Sequence, residues 1–127
     1  MRIQHKHLLV NAKINKPMQT EAEGIDFLRR LVKRIDMYIL HGPFATYLGK
    51  PGNKGLTAIV MIETSHIAFH IWDELDPAML QFDLYTCGPL NAEDVLDVLR
   101  KEFQIVSMDW HLYDRENGFV LEAHGLE

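Results

Sequence analysis

Cysteine is almost absent. Cys87 is the single one in 127 residues, so no internal disulfide can form and a reducing compartment is expected. Long apolar runs are absent too, and no stretch approaches a membrane span. The first residues, Met-Arg-Ile-Gln-His-Lys-His, hold no apolar signal core, and a cytoplasmic protein is expected. Positive charge is in deficit: 13 Lys and Arg stand against 18 Asp and Glu, a net charge of -5. That disfavours a general binder of nucleic acid or anionic membrane, because both require a basic face. The one basic cluster, Arg29, Arg30, Lys33 and Arg34, has the spacing of a solvated helix face. No linker, low-complexity tract or charge block divides the chain. The residues present are 47% hydrophobic and 24% charged, a globular balance, and the length suits one domain over residues 1–127.

Residues 5–14 alternate as a strand, with Leu8, Val10, Ala12 and Ile14 on one face. Thr20 followed by Glu23 makes a capping box, and Phe27, Leu28, Leu31, Val32 and Ile35 recur at helical spacing. Residues 38–47 read as a strand that Pro43 confines to an edge or an irregular path. Residues 49–55 form a Gly- and Pro-rich loop. Residues 56–62 and 66–72 form a hairpin around Glu63-Thr64-Ser65, and residues 80–86 form another strand with Leu80, Phe82 and Leu84 inward. Asn91 caps a second helix carrying Val95, Leu96, Leu99 and Phe103. A last hairpin of residues 104–111 and 118–122 turns around residues 114–118. This order predicts an α+β fold: a two-layer sandwich of a mostly antiparallel sheet with helices on one face.

Polar chemistry gathers between Thr57 and Cys87. His66, His70 and Trp72 share a strand face, and Cys87 ends the next strand on a similarly polar one. A turn with a nucleophile, a base and a thiol suggests a site. Plain alternatives exist for each residue. His66 and His70 suit a wet sheet face, and Cys87 suits a small core position. His5 and His7 share a face and read as rim residues. No carboxylate or cysteine completes a zinc spacing, so no metal is expected. A Ser-His-Cys hydrolase lacks its strand-turn-helix nucleophile elbow.

The run Thr64-Ser65-His66-Ile67-Ala68-Phe69-His70-Ile71-Trp72-Asp73-Glu74, then Leu84-Tyr85-Thr86-Cys87-Gly88, resembles the signature of the small prokaryotic, pyruvoyl-dependent S-adenosylmethionine decarboxylases. His7-Leu8 is similar to that family's opening strand. The resemblance implies self-cleavage between Thr64 and Ser65 into residues 1–64 and 65–127, with Ser65 becoming a pyruvoyl group. It implies that His70 removes the serine α-proton and that Thr57, in place of a family serine, assists the acyl shift, both standing beside Ser65. Cys87 would return a proton to the substrate carbon, and Glu74 would bind the ribose hydroxyls. Asp73, Glu74 and Asp83 would offer acidic surroundings to the sulfonium. The pyruvoyl ketone would form a Schiff base with the substrate amine and accept the electrons released with carbon dioxide. A homodimer closing the open sheet face is expected.

The sequence departs from the family pattern at several points. Thr64 stands where the family has Glu, Asp73 where it has Pro, and two extra residues precede Cys87. The 49–55 loop lacks an aromatic for adenine, for which Phe44 or Tyr47 would substitute. Three functions stay open: decarboxylation of S-adenosylmethionine for spermidine synthesis, decarboxylation of another amino acid such as ornithine or arginine, and a non-cleaving homologue that binds a ligand or partner.

Overall fold

The computed structural model describes residues 3–127; Met1 and Arg2, part of the N-terminal stretch read above, lie outside the described residues. The elements run β1 (Lys6–Ile14), α1 (Glu21–Arg34), β2 (Ile39–Leu48), β3 (Gly55–Ile62), β4 (Ser65–Trp72), β5 (Ala78–Thr86), α2 (Ala92–Phe103), β6 (Ile105–Asp114) and β7 (Val120–Leu126). The strands form one seven-stranded sheet in the order β2-β3-β4-β5-β1-β6-β7, and every neighbouring pair is antiparallel.

Alternation along the strands sorts the two faces. Leu8, Val10, Ala12 and Ile14 of β1, Ile67, Phe69 and Ile71 of β4, and Leu80, Phe82 and Leu84 of β5 are buried beneath the helices. Both helices lie on this face, so the expected two-layer α+β sandwich is the fold observed. Three aromatic rings join the layers: Phe27 of α1, Phe69 of β4 and Phe103 of α2 meet edge to face at centroid separations of 5.6, 5.2 and 6.1 Å.

The helix starts follow their caps. Thr20 Oγ1 accepts from the Glu23 amide at 3.2 Å, and its hydroxyl donates to the Glu23 carboxylate at 2.8 Å. Asn91 Oδ1 accepts from the Glu93 amide at 3.0 Å. The basic cluster lies on the outer side of α1, where Arg30 pairs with Asp26 and forks onto Glu102 of α2. β2 is an edge strand whose pairing with β3 shifts register on both sides of His41, next to Pro43. The last hairpin is longer than predicted, because β6 continues to Asp114 and β7 to Leu126. Among the described residues, no helix is long and apolar enough to cross a membrane.

Among the described residues, no helix covers the opposite sheet face. It carries His66, His70 and Trp72 of β4 and Asp83 and Tyr85 of β5. It also exposes Leu9, Ile59 and Met61, each of which alternates with core residues.

Candidate active site

The candidate residues fall into two groups. The first is at the β3–β4 turn. Ile62 pairs with Ser65, leaving Glu63 and Thr64 as a two-residue loop. The Thr64 carbonyl accepts the Cys87 amide N–H at 2.7 Å, and the Glu63 amide donates to the Tyr38 carbonyl at 2.9 Å. Gly88 is buried here, and a Cβ on it would sit 3.1 Å from Thr64 Cγ2, so the Thr-Cys-Gly run packs closely on the turn. Ser65 has a φ of 149°, a positive value that L-residues rarely adopt. Thus the peptide bond before Ser65 has its carbonyl oxygen on a fixed donor and a hydroxyl residue on its far side. If an oxygen adds to that carbonyl, the Cys87 N–H faces the developing negative charge.

The second group lies along the strands. Thr57 and His70 are directly opposite in the β3–β4 ladder, with Oγ1 and Nδ1 3.0 Å apart. The His70 ring stacks near Trp72 at 5.8 Å and 29°. The Trp72 indole N–H donates to Asn53 Oδ1 at 3.0 Å. Glu74 Oε1 accepts the Gly52 and Lys54 amides at 2.7 and 3.1 Å, so one carboxylate oxygen braces the glycine-rich loop. The loop returns tightly: a Cβ on Gly55 would lie 1.6 Å from the Ile71 carbonyl oxygen, which leaves room only for glycine. Thr57, His70, Trp72, Asn53 and Gly55 line a cavity of about 160 Å³. Of the two proposed adenine platforms, Tyr47 gives its hydroxyl to Asp73 at 2.8 Å, whereas Phe44 is exposed.

These groups do not meet within one chain. Ser65 and His70 are five residues apart on β4, and an extended chain rises about 3.3 Å per residue, so about 16 Å separates them. The expectation that Thr57 and His70 stand beside Ser65 is therefore corrected for a single protomer. Motif spacing conceals this, because nearness in sequence is not nearness along a strand. Asp83 also departs from the acidic surroundings expected with Asp73 and Glu74, because its carboxylate is engaged by two histidines.

That engagement is a third cluster, which the sequence reading missed. His7 of β1 and His66 of β4 flank β5, and their Nε2 atoms lie 2.9 and 3.0 Å from Asp83 Oδ2. His7 is therefore no rim residue. Arg115 Nη1 lies 3.2 Å from His7 Nδ1. An arginine only donates, so Nδ1 accepts and Nε2 carries the proton given to Asp83. The three ligand-type atoms lie within 4.8 Å of one another. With Nε2 protonated on His7, they form a hydrogen-bond relay rather than a set of metal donors. Burial raises the Asp83 carboxyl, but the bonds from His7 and His66 outweigh it and hold the group below the usual carboxylate value. His5 joins through Tyr85, with Nδ1 3.1 Å from the phenol oxygen. The signal lay in the alternation of β1 and β5; the strand order that makes them neighbours was not readable. A larger cavity of about 370 Å³ on the helix-free face includes Asn11, His70, Gln81, Asp83, Asp109 and His111 in its lining.

Comparison with known proteins bears on this arrangement. The chain matches the S-adenosylmethionine decarboxylase family model over residues 6–116. It is 34% identical over 56 residues to the S-adenosylmethionine decarboxylase proenzyme of Thermoplasma volcanium, 43% of this chain and 42% of that protein. It is 38% identical over 76 residues to the arginine decarboxylase proenzyme of Aeropyrum pernix, 58% of this chain and 56% of that protein. It is 36% identical over 61 residues to the S-adenosylmethionine decarboxylase proenzyme of Thermococcus kodakarensis, 47% of this chain and 41% of that protein. The chain thus spans about half the length of the curated relatives it matches. The family match takes in both groups of candidate residues and nearly all of the sheet, and this protein belongs to the S-adenosylmethionine decarboxylase family.

Proposed function

We propose that this chain is a self-processing decarboxylase, which cuts itself between Thr64 and Ser65, carries a pyruvoyl group at residue 65, and decarboxylates S-adenosylmethionine to supply the aminopropyl donor for spermidine synthesis. The observation that carries the reading is the Thr64 carbonyl, held on the Cys87 amide at 2.7 Å immediately before a strained serine. The Ser65 hydroxyl adds to that carbonyl carbon, the C–N bond breaks, and the amide becomes an ester with a free amine on residue 65. Loss of the Ser65 α-proton expels Thr64 as a carboxylate and leaves a dehydroalanine. Water replaces its nitrogen, ammonia leaves, and a pyruvoyl group caps residues 65–127.

The pyruvoyl ketone supplies an electron sink for the electrons released with carbon dioxide. The residues around it divide the remaining work. Cys87, beside the turn, returns a proton to the substrate carbon. Glu74 Oε1 is committed to its loop, and Oε2 is the oxygen that faces a ribose. His70, paired with Thr57, serves as the base for the Ser65 α-proton. At about 16 Å along the strand it reaches only the Ser65 of a second copy. We therefore read the active form as a homodimer that packs its helix-free faces together, burying the exposed Leu9, Ile59 and Met61.

A second reading keeps the fold and the cleavage but changes the substrate to arginine. The Aeropyrum relative bears that name, and the 49–55 loop has no aromatic for adenine. Intact-mass analysis of fresh protein tests the common part: two fragments, residues 1–64 and 65–127, are expected, and Ser65→Ala stays whole. A wild-type chain that stays whole after long incubation overturns the proposal. Release of labelled carbon dioxide from S-adenosylmethionine supports the first substrate; release from arginine alone moves the assignment to the second.

A further inference from the structure

The φ and ψ of a residue are the relative orientation of the two peptide planes that flank it. A serine at φ 149° costs about 1–3 kcal/mol and persists only where both planes are held from outside. At Ser65 the holds come from β3 on one side and from β5 and its continuation on the other. On the upstream side the Thr64 carbonyl is fixed by the Cys87 amide. On the downstream side Ser65 and His66 pair in the ladder with Ile62 and Met61 of β3 and with Thr86 and Tyr85 of β5. The His66 ring adds a hold from its side chain: it meets Asp83 at 3.0 Å, and Asp83 is itself held by His7 of β1 at 2.9 Å. Arg115 at His7 Nδ1 keeps that histidine in the donating tautomer.

We propose that Asp83 and His66 form a positioning clamp that holds Ser65 in its strained backbone conformation and so promotes the acyl shift. Neither residue touches the reacting atoms, and the clamp rests on the self-cleavage reading above. The strain has an outlet in that reaction: once residue 65 becomes a pyruvoyl group it has no backbone nitrogen, and φ no longer exists there. Asp83 of β5 and Cys87, just past its end, thus act on the two sides of Ser65, Cys87 on the Thr64 carbonyl and Asp83 through His66.

The test uses full-length chains. His66→Ala should slow appearance of the two fragments by about ten- to a hundredfold, the rate equivalent of strain of that size. His66→Gln, whose terminal amide can still donate to Asp83, should recover most of the rate, and Asp83→Ala, which leaves no acceptor, should behave like His66→Ala. The delay should precede the ester, so hydroxylamine, which cuts esters, should not rescue His66→Ala. Wild-type cleavage in His66→Ala, or equal slowing by Gln and Ala, overturns the clamp. A separate readout removes dependence on cleavage. In Ser65→Ala, which remains whole in any case, the NMR backbone coupling of residue 65 reports φ directly. It should shift toward ordinary extended values when His66→Ala is added. An unchanged coupling overturns the clamp, whereas failure of wild type to cleave with a shifted coupling overturns only the self-cleavage reading.

Discussion

The Glu63–Thr64 turn and the Thr57–His70 pair share strands β3 and β4, but they are built by different means. At the turn the fixing contacts are backbone hydrogen bonds, from Cys87 to Thr64 and from Glu63 to Tyr38, with the buried Gly88 packed against them. At the pair the contact is between two exposed side chains, Thr57 and His70, beside an open cavity of about 160 Å³. A site held by backbone is preorganised for an event within its own chain. A site made of exposed side chains on an uncovered sheet face is arranged to act on something that arrives. On the proposed function, this difference suits bond rearrangement at the turn, and proton removal and substrate binding at the pair.

The largest effect that sharpens this division is expected from His70→Ala. If His70 acts only after the acyl shift, the chain should stall as an ester between residues 64 and 65. It should run as one species until hydroxylamine cuts it there. Spontaneous two-fragment cleavage at the wild-type rate would place the base elsewhere.

Cys87→Ala comes next. The turn uses the Cys87 amide rather than its thiol, so cleavage should proceed nearly unchanged. Turnover of the processed enzyme should fall by about a hundredfold or more, as for loss of a general acid. Equal turnover in variant and wild type would remove the thiol from the mechanism.

Glu74→Gln should have the smallest effect and should leave cleavage intact, because a Gln oxygen can still accept the Gly52 and Lys54 amides. Binding of S-adenosylmethionine should weaken by roughly ten- to a hundredfold on loss of a charged acceptor. Titration calorimetry of variant against wild type reads this directly, and unchanged affinity would show that the ribose is held by other groups.

How much of this was legible in the sequence differs between the two regions. Strand alternation sorted Leu80, Phe82 and Leu84 from Asp83 and Tyr85, and the Thr20–Glu23 box marked the start of α1. The motif around Ser65 pointed to the turn because the reacting groups there are adjacent in the chain. The facing of Thr57 and His70 depends on hairpin register, which a two-residue turn sets. The His7–Asp83–His66 relay needed the order β4-β5-β1, a pairing across 76 residues that no local pattern encodes. The gap between Ser65 and His70 was overlooked for the opposite reason: their closeness in sequence hides about 3.3 Å of rise at every step.

The most direct test of the central claim, that one chain's turn is served by another chain's histidine, is complementation. Ser65→Ala and His70→Ala chains, differently tagged and each unable to yield two fragments alone, are co-expressed or mixed after reversible dissociation. The account predicts that the His70→Ala chain, which keeps Ser65, is cut into residues 1–64 and 65–127 in the mixture, while the Ser65→Ala chain stays whole. If mixed dimers form and neither chain is cut, His70 does not serve Ser65 across the interface and the two-chain site is wrong.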